Sequence, residues 1–312
     1  MSLEGRLEQL GIQVEDGGFN FTGYLQGRNL ARSQGNIYYV DDGGSDSAGG
    51  VRGKSPEKPY ATIDFAIGQC TANQGDVIYV LPGHAETLSV ATSLVADIAG
   101  IAIIGIGHGE DRPKLTFTAT ASVVSITAPS VRFENFILIA NKTGGVTSGI
   151  TLGALADGCV LKNIEMRETA NTKEWLIGVT VTAACHSILI EGFRYFGLAG
   201  GDTTQVIKFV GASDYSIVRD FLIFCEASGA PIDALTAVSV WLTIGNGVLH
   251  NLETTSGLSV SVKSDTTGFM HDLRISQLKN GVFVAGAAMA ISEVYISNVI
   301  FTQGFYGIAQ DS

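Results

Sequence analysis

Charge is what this sequence has least of. Asp, Glu, Lys and Arg make up 16% of its 312 residues, and the basic share is the smaller, 19 Lys and Arg against 30 Asp and Glu. A formal net charge of −11 argues against a nucleic acid or an anionic membrane as partner. Long apolar runs are missing as well. Those over residues 98–106 and 282–291 are too short to cross a bilayer. Residues 1–10 are charged and polar, so no signal-peptide pattern opens the sequence, and synthesis in a cytoplasm is expected. Only four cysteines occur, Cys70, Cys159, Cys185 and Cys225. Their spacings match no zinc pattern and their neighbours are apolar, so reduced core thiols are expected.

What is abundant is glycine, 39 residues, with 46% hydrophobic residues. Few charges, many glycines and a large apolar share suit many short strands and tight turns, and do not suit disorder.

The strongest pattern is an internal repeat from residue 131 onward. Seven segments align on central residues Asn135, Asn163, Gly192, Asp220, Asn246, Asp272 and Asn298, with spacings of 28, 29, 28, 26, 26 and 26 residues. Two before the centre stand Phe133, Leu161, Ile190, Val218, Ile244, Met270 and Ile296. One after it stand Phe136, Ile164, Phe193, Phe221, Gly247, Leu273 and Val299. Columns this apolar read as stacked interior positions, one solenoid coil per repeat. Alternation with period two holds on each side of the centre and slips by one across it, as at a corner between two strands. Asn135, Asn163, Asp220, Asn246, Asp272 and Asn298 are therefore expected to form a corner ladder, with amide side chains bonding along the stack. Just before the centre, Glu134, Lys162, Glu191 and Arg219 alternate in sign, as an outward column would. Residues 90–130 read as earlier coils in poorer register.

One outward strip is apolar: Ile137, Ile139, Phe196, Leu222 and Phe224. Such a strip more often marks a subunit contact than a ligand site. The expectation is packing against further copies of the chain, most simply a homotrimer about the long axis.

Ahead of the repeat, residues 58–86 read as a capping helix from Tyr60 to about Thr71, with Ile63, Ala66, Ile67 and Cys70 on one face. A turn at Gly75-Asp76 follows, then a buried strand through Val77, Ile78, Tyr79, Val80 and Leu81. The expected organisation is an arm over 1–36, an opening strand, loop and capping helix over 37–74, and coils over 75–312. The arm has no clean period, and its Phe19, Phe21, Tyr24 and Leu25 are expected to lie on another surface.

YYVDDGGSDS from Tyr38, then Ala61-Thr62-Ile63 with Ala66-Ile67, then GDVIYVLPG from Gly75, resembles the N-terminal cap and first coil of pectin-lyase-like proteins. The resemblance implies an all-β chain, a single-stranded right-handed parallel β-helix with coils of about 26–29 residues. The Gly/Asp/Ser-rich segment after the opening strand is similar to that of many phage virion and cell-surface proteins. It implies a structural virion protein, a capsid decoration protein ahead of a glycan-binding tailspike, with the arm holding a major capsid protein or other virion protein. A polysaccharide lyase or hydrolase on the same fold is the further alternative.

A search for chemistry finds little. Gly107-His108-Gly109 resembles a short polygalacturonase motif, but no acidic pair precedes it on a coil, and a surface turn is expected there. Glu165 and Arg194 are expected to form a stacked surface ion pair, near Glu168. Asp41, Asp42 and Asp46 fail the EF-hand spacing and read as a solvated loop. No catalytic residue, metal site or cofactor is expected. Trp175 and Trp241 are the candidate sugar platforms, with Trp241 the more core-like.

Overall fold

The computed structural model describes residues 13–15, 18–20, 35–47, 49–253, 258–263, 265–277, 282–285, 288–298 and 308–310. The chain divides into two units, Met1–Gly35 and Asn36–Ser312. In the first, strands Gln13–Glu15 and Gly18–Asn20 pair antiparallel, with Val14 opposite Phe19. The arm shows no clean period in sequence, and these two short strands are its described elements. Phe21, Tyr24 and Leu25 lie outside the described residues.

The second unit is a parallel β-helix, the architecture implied by the cap-and-coil resemblance. Each coil runs along three faces. In the early coils a short strand on the first face, such as Arg132–Glu134, turns a corner into one on the second, such as Ile137–Ala140. Ile150–Leu152 of the same coil lies on the third face. From Ile217–Cys225 onward the first two strands are continuous through the corner. Among the described residues, the first two faces form one sheet of fifteen strands and the third face a sheet of nine.

The interior columns stack as the repeat requires. Phe133 pairs in register with Leu161, Leu161 with Ile190, Ile190 with Val218, Val218 with Ile244 and Ile244 with Met270. All six are buried. Each fully buried side chain of this kind contributes about 1.5–3 kcal/mol of hydrophobic stabilisation. Phe133 and Phe136 stack with ring centres 4.2 Å apart. Gly247, the gap in the second apolar column, leaves the space that the Phe221 ring fills. A Cβ there would stand 2.1 Å from that ring.

Asn135, Asn163, Gly192, Asp220, Asn246 and Asp272 all have positive φ, between 49° and 69°. A left-handed residue turns the chain, and Asn and Asp tolerate it better than other side-chain-bearing residues. Asn135 Nδ2 donates to the carbonyl oxygens of Gly105 (2.8 Å) and Gly107 (3.1 Å), and Asn163 Nδ2 donates to Asn135 Oδ1 (2.5 Å). Asn246 donates to Asp220 in the same manner. Outside the corner, Glu191 takes Lys162 at 2.8 Å and Arg219 Nε at 3.0 Å, so the alternating charges do meet.

The ladder ends differently from the expectation. Thr267–Gln277 pairs with Ala288–Asn298 so that His271 faces Ser292 and Leu273 faces Val294. Glu293, with φ of 54°, therefore takes the corner, and Asn298 pairs with Gln277 instead. The last coil is 21 residues from Asp272 to Glu293, shorter than its predecessors, and the constant 26-residue spacing overshot it.

The cap helix is also shorter than expected, Ile63–Ile67. Tyr60 is held in extended pairing with Val40, and Tyr60 N donates to Tyr39 O at 2.9 Å. Asp46 fixes the helix start by accepting from Ala61 N (2.8 Å) and Thr62 N (3.1 Å), so its carboxylate is structural. The helix stops at Gly68, and Ile63, Ala66 and Ile67 are buried as expected. All four cysteines are free, and Cys159, Cys185 and Cys225 are buried.

Candidate functional site on the outer face

The second face carries two different surfaces along its length. Over the early coils it is closed by charge. The loop between Ala102–Gly105 and Lys114–Phe117 carries a short 3-10 turn, Gly109–Asp111, with His108 at its start. The loop reaches back over the next two coils. Arg112 pairs with Glu165, and Arg167 joins Glu165 (2.5 Å) and Glu110 (2.7 Å). Burial works against ionisation of Glu165, but hydrogen bonds from Arg112 and Arg167 outweigh it and hold its pKa below the ordinary value. Glu165 does stack on Arg194 in register. Its ion partners are Arg112 and Arg167, which corrects the expected surface pair. Glu168 turns inward and accepts from Tyr195 OH (2.7 Å), Thr203 Oγ1 (3.1 Å) and Leu198 N (2.7 Å). Burial raises its pKa.

The expected apolar strip is consequently narrower than the sequence suggests. Ile137 is fully buried beside Glu165, its register partner, and its N donates to Pro113 O at 2.9 Å. Ile139, Phe196 and Leu222 are half-buried, and Phe224 is 37% exposed. Phe196 and Phe224 stack nearly parallel, 9° apart, with centres 6.2 Å from each other.

Over the last coils the same face opens into two grooves of about 420 Å³ and about 320 Å³. They share Val248, Arg274 and Tyr295. Arg274 pairs in register with both Val248 and Tyr295, so the three form one outward column. The larger groove runs to the corner, where Asn246, Asp272 and Glu293 line it. The smaller runs the other way, to Phe224, His250 and Ser276. The Phe224 and His250 rings lie 5.8 Å apart. Among the described residues Arg274 has no ion pair, and its guanidinium stands between a carboxyl end and an aromatic end.

The carboxyl end is electrostatically asymmetric. Asp272 accepts from or donates to His271 Nδ1 at 2.7 Å, according to the imidazole tautomer. That bond and one with Glu293 lower the Asp272 pKa. The same bond with Asp272, and the charge of Asp272, raise that of Glu293.

Arg274, Tyr295 and Glu293 did not emerge from the sequence. Their signal was the outward column two after each corner, but the overlong last spacing placed Tyr295 before the corner. The two tryptophans exchange their expected roles. Trp175 is buried, packs edge-on to Phe117 at 4.7 Å and donates Nε1 to Arg167 O at 3.2 Å. Trp241 is 52% exposed. Among the described residues no group of three His, Cys, Asp or Glu is placed to hold a metal ion.

No family model and no curated protein matches the chain. Two solved structures are similar in fold. A rhamnogalacturonan lyase is 13% identical with a TM-score of 0.44, over 80% of this chain and 75% of that one. A GH136 lacto-N-biosidase from Eubacterium ramulus is 10% identical with a TM-score of 0.37, over 88% of this chain and 70% of that one. At these values neither likeness assigns this chain a substrate or a reaction.

Proposed function

We propose that this protein binds a glycan in the outer-face groove of its last coils. The observation that carries this reading is the single column Val248, Arg274 and Tyr295, shared by a carboxyl-lined groove and an aromatic one. A sugar ring has apolar C–H faces and a rim of hydroxyls. Tyr295 and Phe224 offer ring surface for the faces. Arg274 offers a fork of donors, and Asp272 offers acceptors for the hydroxyls. Both groove volumes lie within the roughly 300–1,000 Å³ range of small-molecule sites.

Binding rather than hydrolysis fits the carboxyl geometry. Glycosidic hydrolysis places two carboxyl groups roughly 5–9.5 Å apart, across the scissile bond or with room for a water. Asp272 and Glu293 occupy stacked corner positions on neighbouring strands, side by side along the stack rather than facing one another across a bound sugar. The test is titration of the full chain with a panel of soluble oligosaccharides. At least one is expected to bind, and Tyr295→Ala is expected to weaken it about tenfold. Silence across the panel removes the reading.

A second reading, self-association through the same face, is favoured by the stacked Phe196 and Phe224 rings. It predicts that Phe224→Asp splits a homotrimer, and an unchanged native mass by light scattering ends it. The capsid-decoration and tailspike roles rest on the sequence resemblance. Counting the protein in purified particles against the shell protein tests both.

A further inference from the structure

A second corner, where each coil enters the first face, is also left-handed. Its residues are Gly100, Ser130, Gly158, Ser187, Tyr215 and Trp241, with φ between 56° and 72°. They are stacked through the same backbone bond: Gly158 N donates to His186 O, Ser187 N to Asp214 O, and Tyr215 N to Val240 O at 2.7 Å. The first four are Gly or Ser, which suit a left-handed turn. The next two are the bulky Tyr215 and Trp241, where this conformation is a true outlier. Neither earns its place by packing, since Tyr215 is 61% and Trp241 52% exposed. Phe269, 44% exposed, lies beside Trp241, with the two rings 5.6 Å apart. Strain held at exposed aromatic residues points to a use outside the fold.

Strand Thr267–Gln277 joins this patch to the groove already described. It carries Phe269 at one end, His271 and Asp272 at the corner, and Arg274 beyond it. Phe269 to Arg274 spans about 16 Å of strand at roughly 3.3 Å per residue. The strand thus presents a ring patch, a polar corner and a guanidinium in that order, with the Tyr295 ring level with the guanidinium on the neighbouring strand. Asp214 and His186 border the patch, with His186 Nδ1 3.4 Å from Asp214 Oδ2. His271 and Asp272 at the corner break the apolar surface along this strand. A polymer that alternates apolar faces with hydroxyls matches it.

We infer that Tyr215, Trp241 and Phe269 form a second sugar platform, and that the ligand is a polymeric glycan crossing the corner from this platform to the Arg274 groove. The inference rests on the glycan reading of that groove. Its test is the affinity of the full chain for a length series of the oligosaccharide that binds. The variants are Trp241→Gly and Tyr215→Ser, which restore the residue types of the preceding coils and so preserve the turn. Wild-type affinity is expected to rise with length. Trp241→Gly is expected to lose about tenfold on the longest member and nothing on the shortest, whereas Arg274→Ala loses on all. Equal affinity of Trp241→Gly and wild type at every length overturns the platform and leaves the groove standing. A wild type that binds no member overturns both. A change in native mass on Trp241→Gly, without a change in affinity, overturns the platform in favour of a protein contact.

Discussion

Asn163 donates its side-chain amide to Asn135 Oδ1 at 2.5 Å, one coil away, while both residues hold left-handed backbone at the corner. One residue type meets two demands, a turn and a bond along the stack. The two can be separated. Asn163→Gly keeps the turn and loses the bond, which costs about 1 kcal/mol. Asn163→Ala loses the bond and takes on a left-handed penalty of roughly 1–2 kcal/mol as well. Chemical denaturation is expected to rank wild type above Gly above Ala. An Ala variant as stable as the Gly variant shows that the turn conformation is not demanding.

Gly247 gives a sharper test of the interior. Its absent side chain is the room occupied by the Phe221 ring, with 2.1 Å between an added Cβ and that ring. Gly247→Ala is expected to destabilise by about 1–3 kcal/mol, because the ring must leave its place in a packed stack. The double variant Gly247→Ala with Phe221→Leu is expected to recover part of the loss. Additive losses in a double-mutant cycle contradict the proposed contact.

Arg112 and Glu165 set an acid limit on stability. Glu165 has a folded pKa below its ordinary value of 4.5. Its contribution is therefore fully present above the unfolded pKa and is lost as pH falls through the folded one. Arg112→Met leaves the buried carboxylate with Arg167 alone and is expected to cost about 3–5 kcal/mol near neutral pH. The difference from wild type shrinks as pH falls through that depressed folded pKa, where the paired carboxylate takes up its proton. A loss that is constant from pH 7 to pH 3 contradicts this pairing.

In the groove, Arg274→Lys separates charge from shape. Lysine keeps the positive charge but loses the planar fork. If the fork bonds adjacent hydroxyls, Arg274→Lys is expected to bind glycan nearly as poorly as Arg274→Ala. Full rescue by lysine assigns the arginine a purely electrostatic role. Denaturation midpoints of both variants are expected to match wild type, since Arg274 has no ion pair among the described residues.

The fold was legible because a stacked coil repeats its interior side chains at a near-constant spacing. Phe133, Leu161, Ile190 and Val218 recur at that spacing, and they do stack. The outer surface was far less legible. Ile137 and Glu165 occupy outward positions yet are buried, and Arg112 from the loop of an earlier coil pairs with Glu165; nothing local to either residue announces that. The last coil was misread because a strand register wrong by an odd number of residues exchanges the two faces. That error moved Tyr295 off the column it shares with Arg274 and hid the site. The tryptophans were misassigned because a turn between strands can point a ring either way. Trp175 falls inward on Phe117, and the left-handed turn at Trp241 leaves its ring outside.

The most direct measurement is a crystal structure of the protein with the tightest-binding oligosaccharide from the panel. The expected result is a sugar ring stacked on Tyr295 with its hydroxyls bonded to Arg274. A sugar bound elsewhere on the molecule, with this groove empty, would contradict it.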